Sequence, residues 1–427
     1  MKKLFSTLLF LGGIMLGANF KSITISGVEV PLIYEQSSII PTGAIQLIFA
    51  NSGSAYNGEA QGLSYLSSLI LNEGTKDLGS VGFAQLLEEK AISLHISSSQ
   101  EFMEFSLSFL KEQEENSINL LSLLLDSPNF TNDALQKVKD RAMASLLAKE
   151  SDFDYLASSG LSQILFKNTP LQYPQRGTLS SIQAISLEQI QTFLKNALTL
   201  SHLYIVIGGD LDIDSTLAKL TPLLQKLPTG SPKNTQTYQA SSTPQTKTQY
   251  KKTQQAYIYF GAPFYLKDYQ EQSYKAKVMS FILGASGFGS RMMEEIRVKN
   301  GLAYSAYLRI NLTNLANYTS GYLQTKVANQ NQSIELVKKV VSDFVKNGVT
   351  QEELDSAKKF LLGSEPLRNE TLSQRLSTAF ANYYKGLSLD YNKQELEKIQ
   401  NLTLEDLNTF IKSHKEILEM SFSILTQ

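Results

Sequence analysis

The sequence predicts an α+β fold: two homologous domains, each a mainly antiparallel sheet with helices packed on one face. Three observations predict it: an internal repeat, alternating apolar strands early in each half, and the amphipathic helices that follow them. Residues 181–195 read SIQAISLEQIQTFLK and residues 398–412 read KIQNLTLEDLNTFIK, with seven of fifteen positions identical at an offset of 217. Upstream, residues 130–135 (FTNDAL) resemble residues 349–354 (VTQEEL) at an offset of 219, which Lys139 and Lys358 keep. Two matches in the same order at nearly one spacing mark a duplication.

Lys2 and Lys3, an apolar run over residues 4–16, and then Gly17 and Ala18 have the layout of a secretory leader spanning residues 1–18. The run falls short of the ~20 apolar residues that a membrane-spanning helix needs. Residues 44–49 (AIQLIF) and 256–260 (AYIYF) alternate in polarity and read as a strand near the start of each half. Ser186-Leu187-Glu188-Gln189 and Thr403-Leu404-Glu405-Asp406 read as helix starts, with a hydroxyl cap and acidic first turn. Residues 203–209 (LYIVIGG) read as a buried strand ending in a glycine turn, and residues 420–425 (MSFSIL) as its counterpart. Residues 228–253 are rich in Thr, Gln, Ser, Lys and Pro and read as an extended linker. They divide an N-terminal domain, residues 19–227, from a C-terminal domain, residues 254–427.

The chain has no cysteine, which rules out disulfides and thiolate metal sites. Loss of Lys2 and Lys3 with the leader takes the formal charge from −1 to −3, which argues against capture of nucleic acid. No later segment is long and apolar enough to span a bilayer, so the expected location is exported and periplasmic, with no membrane attachment after leader cleavage.

Residues 52–75, SGSAYNGEAQGLSYLSSLILNEGT, resemble the signature region of the pitrilysin, insulinase and mitochondrial processing peptidase family. The resemblance implies the family's metallopeptidase LuxS/processing-peptidase-like fold. Active members carry H-x-x-E-H on a helix, two histidines for zinc and a glutamate that polarises the attacking water. Aligned on Gly62-Leu63 and Gly74-Thr75, those three places hold Tyr65, Ser68 and Leu69. The family's third ligand is a glutamate about 75 residues downstream, and the matching residues 141–146 (RAMASL) contain no carboxylate. His95, His202 and His414 all lie elsewhere. The expectation is no metal and no cofactor in this chain.

Residues 282–307, ILGASGFGSRMMEEIRVKNGLAYSAY, resemble the family's second-domain signature. In the family its arginine and tyrosine, here Arg297 and Tyr304, reach a zinc-bearing domain and hydrogen-bond the scissile carbonyl. A guanidinium and a phenol can be aimed at developing negative charge. Gly284, Gly287 and Gly289 lack the Lys-Ser/Thr that a phosphate loop needs. The resemblance thus implies a chain inactive alone, the non-zinc subunit of a heterodimeric zinc peptidase. Its partners would be a homologous subunit with intact H-x-x-E-H, which carries the zinc, and unfolded peptide substrates added as a strand to a sheet edge. The other reading is an inert peptide-binding chamber or scaffold of the same fold.

Overall fold

The computed structural model describes residues 17–232 and 235–427; the leader reading therefore falls almost wholly outside the described residues. The first sheet contains β1 (Asn19–Ile25), β2 (Val28–Gln36), β3 (Thr42–Ala50), β4 (Ser93–Ser98), β5 (Phe102–Leu110) and β6 (Leu203–Gly209). Their spatial order is β1-β2-β6-β3-β5-β4. The second contains β7 (Thr246–Tyr250), β8 (Gln255–Pro263), β9 (Ala303–Leu312), β10 (Asn317–Lys326) and β11 (Ser421–Thr426), in the order β7-β11-β8-β10-β9. Among the described residues, only the β2–β6 and β7–β11 pairs are parallel. With β1 set aside, the two orders match strand for strand. β7 lies inside the stretch read as linker, so part of that stretch is an edge strand. Its sequence, TKTQY, alternates between exposed and half-buried positions, and its polar composition masked the pattern.

Each repeat keeps the same local devices. Thr131 and Thr350 cap the helices Asn132–Lys149 and Gln351–Gly363 by accepting from the backbone three residues on. Lys139 then donates to the Gln183 carbonyl at 2.7 Å, and Lys358 to the Gln400 carbonyl at 2.9 Å. Equivalent lysines thus tie equivalent helices at the offset that the sequence showed. Ser186 and Thr403 cap Leu187–Ala197 and Leu404–Ser413, as the sequence predicts.

Both sheets are buried on two faces. In the first, Leu32, Ile45, Leu47, Phe49, Ile205 and Ile207 face the domain's own helices, while Ile33, Ile48 and Val206 face the other way. That second face is covered by a helix from the other half, Leu372–Tyr384, whose Leu376 and Ala379 complete the cluster. Reciprocally, Phe153–Leu165 of the first half lies on β8 and β11, with Leu161, Ile164 and Leu165 in the contact. Glycines allow the close approach. A Cβ on Gly208 would overlap Leu376 Cδ1, and one on Gly160 would overlap Ser423 Oγ. Tyr259 donates to Asp154 Oδ1 at 3.1 Å across the second contact, and burial, with that carboxylate, pushes its phenol well above the ordinary range. Gly208→Val is expected to cost about 1–3 kcal/mol by overpacking. An unchanged urea midpoint would contradict this placement of the helix.

A pair of candidate functional sites

The degenerate motif sits on the helix Leu63–Leu71, which starts after Gly62 at φ +85°. A side chain at Gly62 would overlap Ile182 and the Arg176 carbonyl, so glycine lets the 174–178 loop close down on the helix start. Tyr65, Ser68 and Leu69 share one helix face at i, i+3 and i+4, the geometry that the family uses for metal. The chemistry is gone. Leu69 has no lone pair for a metal, and the Ser68 hydroxyl is buried and donates back to the Tyr65 carbonyl at 2.8 Å. Residues 141–146 lie on Asn132–Lys149, which packs on the motif helix. There Arg141, with Lys137, holds the buried Glu73 carboxylate at the end of the motif helix. Among the described residues no group of three His, Cys, Asp or Glu could hold a metal ion.

A cation occupies this corner. The Arg176 guanidinium carbon lies 5.4 Å from the centre of the Tyr65 ring, and Nη1 donates to Ser145 Oγ at 3.3 Å. It therefore spans the first histidine position and the distal-ligand stretch. Sequence reasoning missed Arg176, since the loop that carries it is separated from both partners along the chain and shows no periodicity. The residues present do not fit zinc: Tyr65 and Leu69 replace the two imidazoles, residues 141–146 offer no carboxylate, and Arg141 and Arg176 bring positive charge to the same corner. The purified chain is expected to carry no stoichiometric zinc by elemental analysis, and one equivalent retained through chelator washing would contradict this.

The second-domain signature is built differently. Gly284 packs against the Leu308 backbone, where a Cβ would overlap its N and O atoms. Gly287 (φ +69°) and Gly289 (φ +85°) then turn the chain through left-handed conformations and hold Phe288 outward, 68 % exposed. The motif's two arginines have different work. Arg291 forks onto Glu353 (Nε–Oε1 2.7 Å, Nη2–Oε2 2.8 Å) and donates to the Gly348 carbonyl, fixing the helical turn. Burial alone would raise the Glu353 carboxyl, but this fork and the Thr350 contacts hold it below its ordinary value. Arg297 has no carboxylate partner among the described residues. Its guanidinium carbon lies between two rings, 4.6 Å from Phe288 and 4.5 Å from Tyr304. Tyr304, at the start of β9, is 82 % exposed. The structure thus brings Arg297 and Tyr304 together and adds Phe288, which the sequence gave no reason to single out.

The sheet edges are partly closed. Along β9, the Ala306 N–H meets Met293 Sδ at 3.3 Å and the Ile310 N–H donates to Ser280 Oγ at 3.0 Å, with Gly284 over Leu308 between them. On β4, Asn72 takes both backbone groups of Ile96, accepting at 3.0 Å and donating at 2.7 Å. Strand addition along the centre of either edge meets groups already paired, which narrows the peptide-binding reading.

Comparison with known proteins follows the same division. Residues 33–179 match the sequence profile described as insulinase (peptidase family M16), and residues 184–361 match that described as peptidase M16 inactive domain. The chain belongs to the M16 family. It is 49 % identical, over its whole length and 99 % of the relative, to a protein of Helicobacter pylori named "Non-peptidase homolog YmxG". The fold matches the crystal structure of a peptidase M16 inactive domain from Pseudomonas fluorescens, with TM-score 0.86 and 24 % identity, over 96 % of this chain and 98 % of that one. It also matches a protease from Helicobacter pylori, with TM-score 0.80 and 15 % identity, over 96 % and 100 % of the two chains. An M16 fold of two homologous α+β domains is therefore established, as the sequence predicts.

Proposed function

We propose that this M16 chain is the non-zinc subunit of an exported, periplasmic heterodimeric zinc peptidase. Arg297 and Tyr304 would bind the substrate carbonyl in an active site whose zinc is on a homologous partner with intact H-x-x-E-H. One observation carries the reading. A guanidinium without a carboxylate, held between two exposed aromatic rings, contributes little to an isolated chain and is suited to grip an oxygen brought from outside. The occurrence in Helicobacter pylori of both a non-peptidase relative and a protease of the same fold supports a pairing of unlike subunits. The test mixes this chain with such a partner and follows hydrolysis of an unfolded peptide, using wild type and Arg297→Ala. Loss of turnover without loss of assembly is the expected result. Unchanged turnover would leave the inert chamber or scaffold, and the partly closed edges of β4 and β9 favour the scaffold of these two.

A further inference from the structure

Arg176 faces more than Tyr65. It borders a cleft of about 470 Å³ between the helix Phe153–Leu165, the end of Asn132–Lys149 and the 174–176 segment. Its walls mix donors with apolar surface: one face of the helix Phe153–Leu165 contributes Tyr155, Ser158, Ser159 and Ser162, and Leu146 and Arg176 line the rest. The charges are unevenly matched. Lys149 is neutralised by Asp152 at 2.6 Å and lies over the Tyr155 ring. Arg176 has no carboxylate partner among the described residues; one of its five N–H donors goes to Ser145 and its face goes to Tyr65. The Ser162 hydroxyl reaches the Ser158 carbonyl only at 3.4 Å, so it can turn toward a better acceptor.

We infer that this cleft is a carboxylate-binding site, in which Arg176 forks onto the carboxylate of a bound peptide while Leu146 and Tyr155 take the adjoining apolar side chain. The corner that carries zinc in active relatives, where the metal and a glutamate activate the attacking water, here carries a guanidinium, which can bind an anion but offers no coordination site for water. A guanidinium matches a carboxylate in planar, two-point fashion, which favours the carboxylate over a neutral amide at the same place. The inference rests on the peptide-binding part of the proposed function and is independent of the zinc-bearing partner.

The experiment uses the full mature chain by itself. Three labelled, unstructured hexapeptides ending in leucine are titrated by fluorescence anisotropy: a free acid, its C-terminal amide, and an amide with glutamate at the fifth position. One carboxylate-bearing peptide is expected to bind on the order of tenfold more tightly than the plain amide. Arg176→Gln is expected to remove that advantage, and Arg176→Lys to keep only part of it. An advantage for the free acid identifies a terminal carboxylate, and one for the glutamate peptide identifies an acidic side chain. Equal binding of all three, no binding, or an advantage that survives Arg176→Gln overturns the inference. Because no partner is present, that failure stays separate from failure of the turnover assay. Arg176 is exposed, and equal thermal midpoints for the variants check that the fold is kept.

Discussion

Replacing Arg375 by methionine is expected to destabilise the protein by about 3–5 kcal/mol, the usual cost of leaving one member of a buried ion pair alone. Glu35 on β2 is 3 % exposed at its side chain, and Arg375, on the helix donated by the other half, is 15 % exposed; their closest atoms are 2.7 Å apart. The guanidinium is otherwise committed, with Nη1 donating to the Asn369 and Glu370 carbonyls. Its removal strands a carboxylate beneath a helix among Leu372, Leu376 and the sheet. The double variant Glu35→Leu, Arg375→Met separates two explanations. Desolvation of an unpaired charge predicts that the double variant recovers most of the loss, whereas a role in helix packing predicts that it does not. Urea unfolding of the wild type and the two variants measures the difference, and a loss below about 1 kcal/mol for Arg375→Met would remove the pair from the account of stability.

The second large effect concerns rate. Arg297→Ala in the mixed assay is expected to lower turnover by about 10²–10³-fold, the range for loss of one aimed donor to developing negative charge. Tyr304→Phe removes only a hydroxyl and is expected to have a smaller effect. Arg297→Lys keeps the charge but loses the planar fork and the stacking between Phe288 and Tyr304, so it is expected to resemble alanine more than arginine. None of the three should shift the thermal midpoint much, because the ring of Tyr304 is mostly in solvent and Arg297 closes no ion pair among the described residues. A fall in rate with constant stability and constant assembly is what distinguishes a substrate contact from a structural one.

How far the sequence revealed this molecule depends on the range of each interaction. Strands such as β3 and helix starts such as Ser186 and Thr403 were legible because alternation and capping operate within a few residues. The duplication was legible because Lys139 and Lys358 do the same work in each copy. The loss of the zinc motif was legible at Tyr65, Ser68 and Leu69, where each residue type settles its own chemistry. Contacts between distant segments left no such trace. Arg176 reaches Tyr65 through a loop packed on Gly62, Asn72 reaches Ile96 around a strand edge, and β7 hides in a polar stretch because edge strands need little hydrophobicity. The two-faced apolarity of residues 203–209 did signal a buried strand, but periodicity cannot say which helix buries it.

The reciprocal placement of Phe153–Leu165 and Leu372–Tyr384 also bears on ancestry. A single half-length copy would leave one apolar sheet face bare and one apolar helix without a seat. Two copies would solve both problems at once, each seating its helix on the other's sheet about a two-fold axis. The present chain has the geometry of such a swapped dimer after its two polypeptides were joined end to end. In one chain the two copies need not stay alike, and here one presents Tyr65, Ser68 and Leu69 on its motif helix while the other presents Arg297 and an exposed Tyr304.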